Sequence, residues 1–336
     1  MMKIFNFLIF VILATQTLSE QEIIKPILNH QILAGYEALA KDTAKLHEVT
    51  KKKCLSSKVE VKKLYNDAFD SLILVNHFRF GPAEAKQRYF ALAFWPDTKA
   101  RTPKILNKFL ISNGSDILSL DQYQQISVAG RGFYAMEYLL YDETISKKSN
   151  KKRLCGLLTV ITEDISKTAK EIFNEWKTSY SKKIHIFDQG SIYSSEKEVV
   201  QELYKSLRTG LQFTADTRIG RPLGRSNKPR PKRAEAYRSS RSMRHITLAL
   251  TASKDLAINL SKKDPNITEL LLQNFNAAFE ICNSISDPTL AGVVILKERE
   301  KLKALKKKIE EILFNVENYL GPALGVQEGF NILDGD

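Results

Sequence analysis

One stripe of residues limits what this chain can fold into more than any other feature. Leu154, Leu158, Ile161, Ile165, Ala169, Ile172 and Trp176 recur at steps of three or four through residues 151–183. At 3.6 residues per turn this spacing collects them on one side of a helix and leaves the intervening lysines and glutamates on the other. A second stripe runs through Leu290, Val294, Leu305, Ile309, Ile312, Val316 and Leu320. Shorter helices are predicted over 22–52, 59–80, 103–112, 120–141, 196–218, 235–260 and 267–286. No useful length alternates apolar and polar residues as a half-buried strand does. With 10 prolines and 15 glycines in 336 residues, little interrupts the helices. The pattern predicts an all-α chain whose stripes are buried in antiparallel bundles.

Residues 186–195, IFDQGSIYSS, lose the helical period and are rich in turn formers. This break predicts two bundles, 20–187 and 195–336. Ahead of them, Lys3 precedes an apolar run from Ile4 to Ala14, and small polar residues follow as far as Ser19. One basic residue, a short apolar core and a small-residue exit fit a secretory signal peptide over 1–19. The core is too short for a comfortable membrane span. An uncleaved anchor is the other reading. The expectation is an exported, periplasmic protein with a soluble mature form.

Export into an oxidising compartment bears on the three cysteines, Cys54, Cys155 and Cys282. None has the close spacing of a zinc or redox motif. Cys54 and Cys155, each near a predicted helix end, are the candidate disulfide; three buried thiols are the alternative. The formal net charge of +13 suits anionic partners or a membrane surface. Lysines scattered over solvated helix faces also explain much of it.

Three constellations could carry chemistry. In the first, Arg79-Phe80-Gly81-Pro82 is followed by Phe94-Trp95-Pro96-Asp97. Arg79 and Asp97 could share a cleft with Trp95 as its wall, or Trp95 could anchor the core while Asp97 caps the next helix. The second is GRGFYAMEYLLYDE, residues 130–143, where Glu137 stands amid Phe133, Tyr134, Leu140 and Tyr141 on a predicted helix. A carboxylate so placed needs a partner, since an isolated buried charge is very costly. Metal ligand, general base and half of a buried ion pair are its open roles. The third is RIGRPLGRSNKPRPKRAEAYRSSRSMRHI, residues 218–246. Its first sixteen residues hold seven basic side chains and no acidic one. Arg238, Arg241 and Arg244 are predicted on one helix face beside Ser239 and Ser242, a spacing suited to carboxylate or phosphate recognition. This face is the expected partner of Glu137. Nucleic acid is not the expected partner, because aromatic interleaving is absent and the chain is exported. The five histidines include no HExxH and no close pair, and nucleophile-elbow, Walker and Rossmann glycine patterns are missing.

In this order, RFGP with FWPD, GRGFYAMEYLLYD and RPLGRSNKPRPKRAEAYRSSRSMRHI resemble the blocks of the imelysin-like proteins, an exported helical group that includes peptidases. The resemblance implies two helical bundles side by side and a site near their junction, built around a GxHxxE block. On that spacing Gly132 is the glycine, Tyr134 stands at the histidine position, and Glu137 is the glutamate. A phenol binds divalent metals poorly unless deprotonated. The implied site residues are Arg79, Asp97, Tyr134, Glu137, Arg238, Ser239, Arg241 and Ser242, with Glu137 the one candidate metal ligand. The family's link with iron uptake implies iron or another divalent metal as a possible cofactor. The function expected is binding of a small ligand or metal complex in the inter-bundle cleft, serving iron acquisition with a membrane-bound uptake component. An imelysin-type metallopeptidase and a non-catalytic interaction module are the alternatives.

Overall fold

The computed structural model describes residues 20–54, 56–111, 119–148, 150–226 and 228–326, and among them there is no strand. The predicted signal peptide, 1–19, lies outside the described residues. Helix α1 (Glu20–Pro26) continues through a π-helical stretch (Ile27–Leu33) into α2 (Ala34–Lys53), and α3 (Lys58–Val75) packs back along α2. Pro26 has no N–H to donate, and the wider turns begin directly after it. Short helices follow: α4 (Arg88–Leu92), α5 (Arg101–Ile111), α6 (Leu120–Gln124), α7 (Gly132–Tyr141) and α8 (Glu143–Lys148). Helix α9 (Lys151–Glu175) carries the first apolar stripe and lies against α2, α7 and α6. Its inward side chains from Leu158 to Ile172 are buried, and Trp176, directly after its end, stacks on Tyr36 and meets Phe80 edge-on. Cys54, at the end of α2, is disulfide-bonded to Cys155 in the first turns of α9, closing a separation of 101 residues.

After α10 (Ser181–Lys183) the chain turns into α11 (Glu196–Gln212), which runs through a π-helical stretch (Phe213–Ile219) into α12 (Gly220–Leu223). Helices α13 (Ser242–Leu260), α14 (Pro265–Ser284) and α15 (Leu296–Asn315) pack as successive neighbours, with α11 against α13 and α15. A π-helical stretch (Val316–Leu320) leads to α16 (Gly321–Ala323). The two sets of helices meet where α13 packs on α3 and α1 on α11, the latter contact including a 2.7 Å hydrogen bond from Gln21 to Glu196.

Two predicted helices are shorter than the periodicity suggests. The helix over 120–141 is interrupted by a 3-10 turn (Val128–Gly130) before α7 begins. The helix over 235–260 begins only at Ser242, because Ala236 (φ +47°) and Ser240 (φ +58°) take left-handed conformations that break the helical ladder. Arg238, Arg241 and Arg244 therefore do not form one helix face: Arg238 lies in the preceding turn, and Arg241 immediately precedes the first residue of α13.

Candidate functional site

Gly132 sets the site's position. Its φ is +74°, and a Cβ there would lie 2.3 Å from the backbone oxygens of both Ala91 and Leu92. Only glycine allows that approach, so α7 starts pressed against the end of α4. Tyr134, Glu137 and Tyr138 then share one face of α7, at the three- and four-residue spacing of neighbouring turns. The turn 94–98 faces them. Asp97 there accepts hydrogen bonds from the backbone N–H groups of Arg101 (3.0 Å) and Thr102 (2.8 Å), capping α5. Trp95 stacks on Tyr134 with ring centroids 6.1 Å apart. The far wall comes from the second half of the chain: Arg221 of α12 and the segment 232–238. These walls enclose a recess of about 230 Å³.

The turn at 236–240 aims Ser239 at Glu137. The buried Glu137 carboxylate accepts from the Ser239 N–H (2.9 Å) and from its hydroxyl (2.7 Å) through the same oxygen. Burial raises the pKa of Glu137, and the Ser239 hydrogen bonds and the charge of Arg238 offset this only in part. Behind the recess lies a second buried carboxylate, Glu235, to which the Tyr134 hydroxyl donates. Arg218 donates to its other oxygen from Nε at 2.7 Å, and His245 Nδ1 lies 3.4 Å from that oxygen. Burial alone would raise the Glu235 pKa, but the Arg218 charge, His245 and Tyr134 together hold it well below the carboxylate range. Burial, and then the charge of Glu235, push the Tyr134 phenol well above its ordinary value. Burial also favours neutral His245.

Of the eight predicted site residues, Asp97, Tyr134, Glu137 and Arg238 line the recess, and Ser239 reaches it through Glu137. The other three lie elsewhere. Arg79 stacks over Tyr89 (4.2 Å) and Phe213 (4.6 Å) beside a separate small void, rather than sharing a cleft with Asp97. Arg241 pairs with Asp70, as does Arg244 at 3.1 Å. Ser242 donates to the Thr289 carbonyl at 3.1 Å. The expected pairing of Glu137 with an arginine gives way to Ser239. Arg238 is held instead between the faces of Tyr138 (3.7 Å) and Tyr237 (4.5 Å), donating to Asp142 at 3.1 Å.

Arg218, Arg221, Glu235, His245, Tyr138 and Tyr237 are the participants that sequence reading missed. Glu235 left one trace, as the lone acidic residue in residues 218–246. Arg218 ends the predicted helix over 196–218 and begins the basic run, and a π-helical stretch holds it buried.

A divalent metal fits this donor set poorly. Hard cations need several oxygen ligands. The bonded oxygen of Glu137 already takes two hydrogen bonds, the Tyr134 phenol keeps its proton, and Glu235 is neutralised by Arg218. Among the described residues no three His, Cys, Asp or Glu side chains gather as a metal site would require.

The family model of imelysin matches residues 32–315. An imelysin-like protein from Psychrobacter arcticum 273-4 has the same fold, with a TM-score of 0.80 at 16% identity, covering 93% of this chain and 98% of that one. A protein from Parabacteroides distasonis ATCC 8503 named as an iron-regulated protein A precursor gives a TM-score of 0.74 at 15% identity, covering 93% and 97%. The curated proteins offer no match. With the family match spanning most of its length, this chain belongs to the imelysin family.

Proposed function

We propose that this chain is an exported binding protein that holds a small ligand or metal complex in the recess between α7, the 94–98 turn and the 232–238 segment, in the service of iron acquisition. The observation that carries the reading is the recess itself. It is concave, contributed by both halves of the chain, walled by aromatic faces and supplied with a few charged groups, which is how small-molecule sites are built. In favour of the iron context stand family membership and the name of the Parabacteroides relative. A ligand bringing its own metal suits these walls better than a bare cation, because the nearby carboxylates are already engaged. Tyr134, at the position the family pattern gives to histidine, keeps its proton and serves as floor rather than as metal ligand.

Native mass spectrometry with elemental analysis, on protein from its native compartment, tests this reading. The wild type should retain a non-covalent mass. Thr98→Trp, which fills the rim from an exposed position, should lose that mass without a change in melting temperature. A bare metal ion as the sole bound species, with chelator-sensitive cleavage of a protein substrate, would overturn the reading in favour of a metallopeptidase.

A further inference from the structure

We infer that the recess takes a small organic anion, held by carboxylate or phosphate oxygens against Arg221 and the Lys232–Arg233 pair; this rests on the binding reading above. Arg221 extends over Trp95 with its guanidinium 5.8 Å from the ring centroid. Its Nε is shut off from solvent and has no hydrogen-bond acceptor. No carboxylate among the described residues forms an ion pair with Arg221, Lys232 or Arg233. Arg221 thus stands beside another cation, Arg233, without a carboxylate partner, and an anion in the recess supplies the missing counter-charge.

The loop is folded so as to bring these cations together. Gly224 has φ +72°, and a Cβ there would meet the Lys228 carbonyl at 2.0 Å. The Arg230 N–H donates to the Pro222 carbonyl at 2.7 Å. This reversal returns Lys232 and Arg233 of the 3-10 turn Pro231–Arg233 to the lining of the recess. The two carboxylates in the walls form no ion pair with these cations. Asp97 caps α5, and Glu137 is bound to Ser239. Arg238 already has Asp142. The recess is thus left cationic on one wall, with Trp95, Tyr138 and Tyr237 among its other lining residues. At about 230 Å³ it is smaller than the roughly 300–1,000 Å³ typical of drug-sized sites, which limits the ligand to a compact molecule.

Tryptophan fluorescence gives a direct readout, because the chain has two tryptophans and the other, Trp176, is fully buried in the core. Purified protein is titrated at low salt with citrate, ferric citrate, inorganic phosphate and putrescine. One or more of the anions should produce a saturable change that Trp95→Phe abolishes, and whichever binds identifies a carboxylate, chelate or phosphate source. Rising sodium chloride should weaken binding. Arg221→Met should weaken it at least tenfold at an unchanged melting temperature, and the exposed-site variant Lys232→Glu severalfold. Preference for putrescine, or affinity within twofold of wild type in both variants, would overturn the inference. A neutral or cationic molecule that co-purifies with wild type and is lost in Thr98→Trp also overturns it, while leaving the binding reading in place. No co-purified mass and no response to any probe would overturn both.

Discussion

Glu235→Gln should destabilise this protein far more than its chemical conservatism suggests. Arg218 and Glu235 have side chains only 4% and 2% exposed, and their charged groups meet at 2.7 Å. The amide can still accept a hydrogen bond, but it leaves the Arg218 charge buried without a counterion. Removing one partner of such a pair costs roughly 3–5 kcal/mol. Thr214, which accepts from Arg218 at 3.1 Å, and the Phe213 face at 4.9 Å soften the loss, so the lower half of that range is expected. For a chain of this size that lowers the melting temperature by about 4–6 °C. Substituting both, as Arg218→Met with Glu235→Leu, should recover much of the stability, giving a coupling of roughly 2 kcal/mol or more in a double-mutant cycle. The pH dependence has a definite sign. Glu235 has a depressed folded pKa, so its contribution is complete above the unfolded glutamate value of about 4.3 and is lost as pH falls through the folded value, about 2. The gap between wild type and Glu235→Gln should therefore narrow below about pH 4. Thermal unfolding followed by circular dichroism measures it. A variant melting within 2 °C of wild type at pH 7, or a gap constant from pH 3 to 7, would refute the reasoning.

The other buried carboxylate should behave differently. Glu137 has a raised folded pKa, so burying its charge grows less favourable as pH rises from the unfolded value through the folded one. Glu137→Gln, keeping an acceptor for Ser239, should stay within about 1 kcal/mol of wild type at pH 7 in urea unfolding. Ser239→Ala, which removes a 2.7 Å hydrogen bond to that carboxylate, should cost about 1.5–3 kcal/mol in the same assay; equal costs for the two variants would contradict this. Gly132→Ala combines left-handed strain, roughly 1–2 kcal/mol, with a clash against two carbonyls, and should leave little folded protein by near-ultraviolet dichroism. Replacing Cys54 and Cys155 by serine opens a 101-residue separation and should lower stability by about 4.7 kcal/mol on chain-entropy grounds. Coincident urea midpoints with and without the bridge would count against that value.

Much of the fold was legible because helical burial is written locally. Leu158, Ile161, Ile165, Ala169, Ile172 and Trp176 are all buried, as their spacing requires. The second stripe was read too far: Val294 is 55% exposed, because α15 begins only at Leu296 and a 3-10 turn precedes it. The three sequence blocks were enough to indicate the imelysin family. The partners within the site were a different matter. Glu137 meets Ser239 across 102 residues, Tyr134 meets Glu235 across 101, and Arg241 meets Asp70 across 171. Residue spacing constrains neighbours on one helix, but it does not specify which helix lies opposite.

The decisive local geometry was also hidden. Ala236 and Ser240 adopt positive φ without being glycine, so composition gave no warning that a helix would be delayed and Ser239 turned toward Glu137. The π-helical stretch Phe213–Ile219 carries Arg218, the first cation of the basic run, into the core. The sequence by itself determined an all-helical chain with a carboxylate on an apolar face, because periodicity and helix propensity act over a few residues. Only the tertiary structure decided that this carboxylate is held by a serine, and that the arginine of the buried ion pair serves Glu235, because those choices depend on turns whose conformations are imposed by packing between distant segments.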